Sequence, residues 1–132
     1  LAACSRVPLV SSQPELSALR FDPFVNGESD QAIDLDLAIL AWSPLGGGQL
    51  AEPTEPRAKA VAAALDAIAD EQRVSRSAAA LSWIMAHPSR PIPIIGSQTA
   101  ARIADAADAL KVRWTRTNWY AVLVAARQEP LP

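Results

Sequence analysis

The chain has 132 residues, half of them apolar, with 12 basic against 14 acidic side chains and a net charge of −2. This length makes one domain or part of a larger one, and the composition excludes a disordered, collagen-like or disulfide-stapled chain. No basic excess exists to neutralise phosphates, so nucleic acid is excluded as a partner class. No apolar run approaches the roughly 18 residues of a membrane span, so no membrane partner is expected. Cys4 is the only cysteine and supports neither a disulfide framework nor a four-ligand zinc site. The chain begins with Leu, and no positively charged start followed by a long apolar core marks a secretory signal. Cytoplasm is the expected compartment, and the Leu start also fits a fragment.

Residues 7–12, VPLVSS, read as a strand. A short helix is expected around 30–35, capped by Asn26 or Ser29. Residues 37–42, LAILAW, form an uninterrupted apolar run closed by Ser43-Pro44 and three glycines. Thr54-Glu55-Pro56 starts a helix with Pro in its first turn. Ala58, Val61, Leu65 and Ile68 then recur at helical spacing, with Lys59, Asp66 and Asp70 on the opposite face. Ser75 caps a further helix over 76–86, which is apolar almost all round and stops before Pro88. Residues 92–95, IPII, read as a third strand closed by Gly96-Ser97, and Pro91 and Pro93 push it toward a sheet edge. The next helix places Ile103, Ala107 and Leu110 inward and Arg102, Asp105 and Asp108 outward. Thr115 caps the last one, carrying Trp119, Leu123 and Ala126, before a tail over 129–132. Uninterrupted apolar runs fit strands buried on both faces of a parallel sheet. The order β, α, β, α, α, β, α, α predicts an α/β fold of parallel βαβ units, with no repeat and no interdomain linker.

In such folds ligands bind beyond the carboxyl ends of the strands. Four of the five glycines lie there: Gly46, Gly47 and Gly48 after the second strand, and Gly96 after the third. Glycine lets the backbone approach a ligand and exposes N–H donors, although the same residues serve equally as turn and cap glycines. Gly96-Ser97 also opens a helix, whose N-terminus favours a phosphate. Neither a complete G-x-G-x-x-G nor a G-x-x-x-x-G-K-[ST] loop is present. His87, the only histidine, falls in a solvated loop at the amino end of the sheet, and Tyr120, the only tyrosine, is expected to pack beside Trp119. Asp34 with Asp36, and Asp66 with Asp70, read as solvated faces. No metal-ligand spacing and no G-x-S-x-G elbow exist, and Cys4 has no base near it. No metal site and no catalytic residue is assigned.

Three segments occur in a telling order: Ser12-Gln13-Pro14-Glu15, then residues 41–48 reading AWSPLGGG, then Pro93-Ile94-Ile95-Gly96-Ser97 followed by Arg102 and Asp105. Together they resemble the carboxyl-terminal half of an aldo-keto reductase, in the bacterial oxidoreductase branch. The resemblance spans essentially the whole chain without an internal boundary. It implies a partial (β/α)8 TIM barrel, strands six to eight with their helices, and an NADP(H) cofactor for reducing aldehydes or ketones by hydride transfer. It further implies that Gln13 holds the nicotinamide carboxamide, and that Trp42 stands where an aromatic ring meets the nicotinamide face. Ser43, Leu45, Gly46 and Gly47 would wrap the pyrophosphate. Gly96, Ser97 and Gln98 would lie beside the adenosine 2′-phosphate, Arg102 would pair with that phosphate, and Asp105 would approach the adenine amino group. Two departures weaken the adenosine end: no Lys occurs within 96–98, and Ala106 follows Asp105 where the family often has Asn or Asp.

The family's Tyr, Lys, Asp and His map to strands and loops of the other half, and none aligns with this chain. A small-molecule carbonyl substrate is therefore expected only where the other half completes the barrel. The chain alone is expected to be inactive, and to self-associate through open sheet edges. The alternatives are a stand-alone half-barrel that binds a nucleotide or partner without redox chemistry, and a helix-rich interaction domain.

Overall fold

A computed structural model describes residues 7–129; Cys4 and residues 130–132 lie outside the described residues. The elements are β1 (Ser11–Ser12), α1 (Asp22–Val25), α2 (Glu28–Asp34), β2 (Ala38–Ala41), α3 (Pro56–Gln72), α4 (Arg76–Met85), β3 (Ile92–Pro93), α5 (Ala100–Ala107) with a 3₁₀ turn over Asp108–Lys111, and α6 (Arg116–Arg127). All three strands run parallel in the order β1-β2-β3, with Ser11 opposite Ala38 and Leu40 opposite Ile92. The regular strands are shorter than the apolar runs. Pairing continues past β1, because the Trp42 N–H donates to the Pro14 carbonyl at 3.1 Å and the Leu16 N–H to the Trp42 carbonyl at 3.2 Å. β3 lies at a sheet edge among the described residues, as its prolines suggest. The Ile94 N–H donates to the Ala41 carbonyl at 2.9 Å, so the alternation of the ladder turns the donorless Pro93 nitrogen away from β2.

The helix starts follow local chemistry. Ser75 Oγ accepts the Ala78 N–H at 3.0 Å and Thr115 Oγ1 accepts the Asn118 N–H at 3.1 Å, so each hydroxyl satisfies an orphan amide of the first turn. α3 begins on Pro56 with Glu55 as its cap, and its Ala58, Val61, Leu65 and Ile68 are all buried. α2 starts earlier than expected. Gly27, at φ 89°, is its cap; Asn26 Oδ1 accepts the Glu28 N–H at 2.9 Å, and Ser29 lies inside the helix. α1, with Pro23 in its first turn, was not legible from periodicity, because four residues carry none.

The helices cover one face of the sheet. Ile39 and Ala41 are fully buried against Val61, Leu65, Ala80, Trp83 and Val122. Trp83 and Trp119 stack with centroids 4.8 Å apart and exchange hydrogen bonds: each indole N–H donates to the other's carbonyl, at 3.0 and 2.9 Å. Truncating a buried Trp of this kind costs about 3–5 kcal/mol. Arg57 Nε donates to the Ala126 carbonyl at 2.6 Å and ties α3 to α6.

The structure corrects three packing expectations. The strands are buried on one face and not on both: Ala38, Trp42, Ile92 and Ile94 are exposed on the other. Within that pattern Ile39 and Leu37 face the helices, whereas Leu40 and its partner Ile92 face the open side. On α5 the expected face is reversed. Ile103 and Leu110 are 47% and 68% exposed, while Ala106 and Ala109 pack on Ala78 and Leu81. Small alanines let the helix approach closely, and the 3₁₀ turn rotates the last residues away from a 3.6 period. Asp66, expected to be solvated, is half-buried and accepts from Arg76 Nε at 2.6 Å and Nη2 at 2.7 Å. That pairing raises the Arg76 pKa.

Candidate functional site

A cleft of about 720 Å³ opens beyond the carboxyl ends of β2 and β3. Its walls are the 43–52 loop, the 95–97 segment, Ser77 and Leu81 of α4, and Arg102, Asp105 and Ala106 of α5. The loop is a chain of tight turns. Ser43, Gly46, Gly47 and Gly48 all have positive φ, at 51°, 59°, 64° and 91°. Gly46 has a second reason to lack a side chain, since a Cβ there would lie 3.0 Å from Leu19 Cδ1. Around Gly47 and Gly48 a Cβ would meet nothing within 4 Å.

The glycine amides do not stand free, contrary to the expectation that they supply donors to a ligand. Gly46 N–H donates to the Ser43 carbonyl at 2.8 Å, Gly47 N–H to Ser43 Oγ at 2.9 Å, and Gly48 N–H to the Leu45 carbonyl at 3.2 Å. Tight turns satisfy their own backbone. Ser43 accepts through Oγ and keeps its hydroxyl proton available. Ser97 is in the same state, its Oγ accepting the Thr99 N–H at 3.1 Å. Gly96, Ser97 and Gln98 do not open the helix directly; they form an irregular approach, and Thr99 is the cap residue of α5. The first-turn amides of α5 remain free for an anion by helix geometry.

Among the described residues Arg102 is the one cation that lines the cleft. It is exposed and makes no hydrogen bond or ion pair among the described residues. Asp105 is half-buried, and its Oδ2 accepts the Ser75 hydroxyl at 2.6 Å. Of the expected binding residues, Ser43, Leu45, Gly47, Gly96, Ser97, Arg102 and Asp105 line this cleft. Gly46 lies behind the loop against Leu19, and Gln98 is exposed beside the cleft without lining it. Gln13 and Trp42 are both exposed, and strand alternation carries both to the open sheet face. Sequence reading missed Ser77 and Glu52 of the lining, since neither sits in a motif.

Among the described residues no His, Tyr, Lys or Cys lines the cleft. Ser77 is near the start of α4 and His87 lies past its end, which at 1.5 Å per residue separates them by about 15 Å. His87 is not the solvated loop residue expected. It stacks on Phe24 at 3.9 Å with the rings 10° from parallel, and its Nδ1 accepts the Ser89 N–H at 3.2 Å. Burial lowers its pKa, opposed more weakly by Asp30. Tyr120 packs edge-on against Trp119, as expected, with the Arg116 guanidinium over its ring. Among the described residues no group of three or more His, Cys, Asp or Glu is placed to hold a metal. No helix among them is long and apolar enough to cross a membrane.

A family model described as the aldo/keto reductase family matches residues 2–122. The chain belongs to this family. Its three parallel strands and their helices form part of a (β/α)8 barrel. A 6-dehydroglucose reductase of Novosphingobium aromaticivorans is 65% identical over 94% of the chain, and 41% of that relative is covered. A 6-dehydroglucose reductase of Agrobacterium fabrum is 37% identical over 89% of the chain and 39% of the relative. This aldo/keto reductase chain thus spans about two fifths of the length of the curated relatives it matches. The structure of a thermostable aldo-keto reductase, Tm1743, solved with the inhibitor epalrestat, superimposes with a TM-score of 0.78 at 17% identity, over 93% of this chain and 42% of that one. At that identity the likeness concerns the fold alone.

Proposed function

We infer that the chain is the cofactor-binding part of an NADP(H)-dependent reductase of carbonyl compounds. The observation that carries this reading is Arg102: an unpaired guanidinium on the wall of a cleft at the carboxyl ends of parallel strands, next to the free first-turn amides of α5. A planar guanidinium suits the 2′-phosphate that distinguishes NADP(H) from NAD(H). Ser97, Gly96 and Gln98 would flank that phosphate. The hydroxyls of Ser43 and Ser97 are the loop donors left for phosphate oxygens, with Leu45, Gly46 and Gly47 shaping the turn around the pyrophosphate. Asp105 would accept from the adenine amino group through the carboxylate oxygen that Ser75 does not occupy. Gln13 and Trp42, on the open face, would meet the nicotinamide.

Bound in this way, NADPH supplies a hydride to a carbonyl carbon. The developing oxyanion would then need a proton, and among the described residues no His, Tyr, Lys or Cys lines this cleft to give it. The proton donor is therefore assigned to residues other than these, and the 132-residue chain by itself is expected to bind cofactor without turning over. The names of the two relatives point to a keto group on an oxidised sugar as the substrate class, and cytoplasm is the compartment proposed. Fluorescence titration of the purified chain tests the reading: NADPH should bind more tightly than NADH, while consumption of NADPH with 4-nitrobenzaldehyde stays at background. Equal affinity for the two cofactors would overturn the NADP(H) assignment. Steady turnover abolished by Tyr120→Phe or His87→Ala would overturn the absence of an acid.

A further inference from the structure

We propose that Ser75 is a positioning residue that keeps Arg102 free for a 2′-phosphate by holding Asp105 away from it. The inference rests on the cofactor reading above and adds a determinant of its selectivity. Arg102 and Asp105 stand three residues apart on α5, and both line the cleft. Opposite charges at this spacing on a helix lie within reach of one another, with the acid-first order the more favourable of the two. In the 3₁₀ turn that follows α5, a pair at the same spacing but in the acid-first order does form, between Asp108 and Lys111. Arg102 and Asp105 nevertheless form no ion pair among the described residues. Asp105 instead accepts the Ser75 hydroxyl at 2.6 Å, a charge-assisted bond from the N-cap residue of a different helix. Ser75 has a reason to be in place: its Oγ accepts the Ala78 N–H at 3.0 Å and caps α4. The hydroxyl therefore has one acceptor role and one donor role, each with a single partner. With its carboxylate anchored, Asp105 does not neutralise the one cation that lines the cleft among the described residues.

Removing the hydroxyl lets Asp105 turn to Arg102 and compete with an incoming phosphate. The effect should appear in the ratio of NADP⁺ to NAD⁺ affinity, because NAD⁺ has no phosphate at that position. Glycine caps helices nearly as well as serine, so Ser75→Gly removes the donor with little loss of cap. Calorimetric titration at low ionic strength should show the NADP⁺ to NAD⁺ preference falling roughly two- to fivefold in Ser75→Gly, the size of an exposed ion pair. Ser75→Thr, which keeps the hydroxyl, should retain the preference. Adding Asp105→Asn to Ser75→Gly should restore it, since no carboxylate is left to compete. A merely structural role for Ser75 would weaken both cofactors together and would not be rescued at Asp105. Should the glycine variant fail to fold, Ser75→Asp preserves the cap, repels Asp105 toward Arg102 and should lower the ratio at least as much. An unchanged ratio in these variants, or a loss that Asp105→Asn does not restore, overturns the proposal. If Arg102→Ala in the otherwise unaltered chain leaves the ratio unchanged, the cofactor reading itself fails and this inference falls with it.

Discussion

Replacing Arg102 by Ala isolates the contact on which cofactor choice would depend under the proposed function. A charge-assisted hydrogen bond lost from a binding site costs about 1.5–3 kcal/mol. Arg102 is exposed and the cleft is open to water, so its field is screened and the lower half of that range applies. About 1.5–2 kcal/mol corresponds to a roughly ten- to thirtyfold weaker NADPH complex. NADH affinity should change little, because the guanidinium has no 2′-phosphate to meet there. The loss should also shrink with salt, and the wild-type preference with it. Fluorescence titration of both cofactors, at low and at high ionic strength, reads all of this directly. An equal loss for NADPH and NADH would place Arg102 on a part common to both cofactors. No loss for either would remove it from the site.

Gly46→Ala should destabilise the fold more than Gly47→Ala, by about 1–3 kcal/mol against about 1 kcal/mol in thermal melts, since both carry positive φ but only Gly46 would press a Cβ onto Leu19; equal effects would contradict the packing argument. His87 is buried against Phe24 with a lowered pKa, so its contribution to stability is complete above its unfolded pKa near 6.5 and is lost as pH falls below that, through the lower folded value; melts between pH 7.5 and 5 should show a decline that His87→Gln flattens. The open sheet face should drive self-association, because Ile92 is 55% and Ile94 is 38% exposed on or beside β3, an edge strand among the described residues; Ile92→Lys with Ile94→Lys should shift sedimentation toward the monomer, and a wild-type chain that is already monodisperse and monomeric would contradict this.

Much of the fold is legible wherever a single residue has a single physical job. Ser75 and Thr115 announce helix starts because a hydroxyl at that position satisfies a specific amide. Pro56 marks α3, and its apolar spacing gives the buried face correctly. The strand runs were read as strands, but residues 37–42 are apolar without interruption, so nothing in them says which alternate set meets the helices. The face of α5 was misread because its packing residues are alanines, whose small size is the asset, while its larger Ile103 and Leu110 point outward. The cleft was located from the glycines after β2 and β3. Their internally bonded amides were not foreseeable, since the turn geometry that uses those donors depends on positive φ at Ser43 and at the three consecutive glycines. The Ser75–Asp105 contact joins residues 30 apart in sequence and leaves no local signature.

The claim that the cleft between the 43–52 loop and the start of α5 is the cofactor site is tested most directly by hydrogen–deuterium exchange with and without NADP⁺. This readout follows individual segments and tolerates self-association. Slowed exchange should be concentrated in peptides covering 43–52 and 96–105, and should be lost from the second of these in Arg102→Ala. Protection confined to the aromatic hollow around His87, Trp114 and Tyr120, or no protection at saturating NADP⁺, would contradict it.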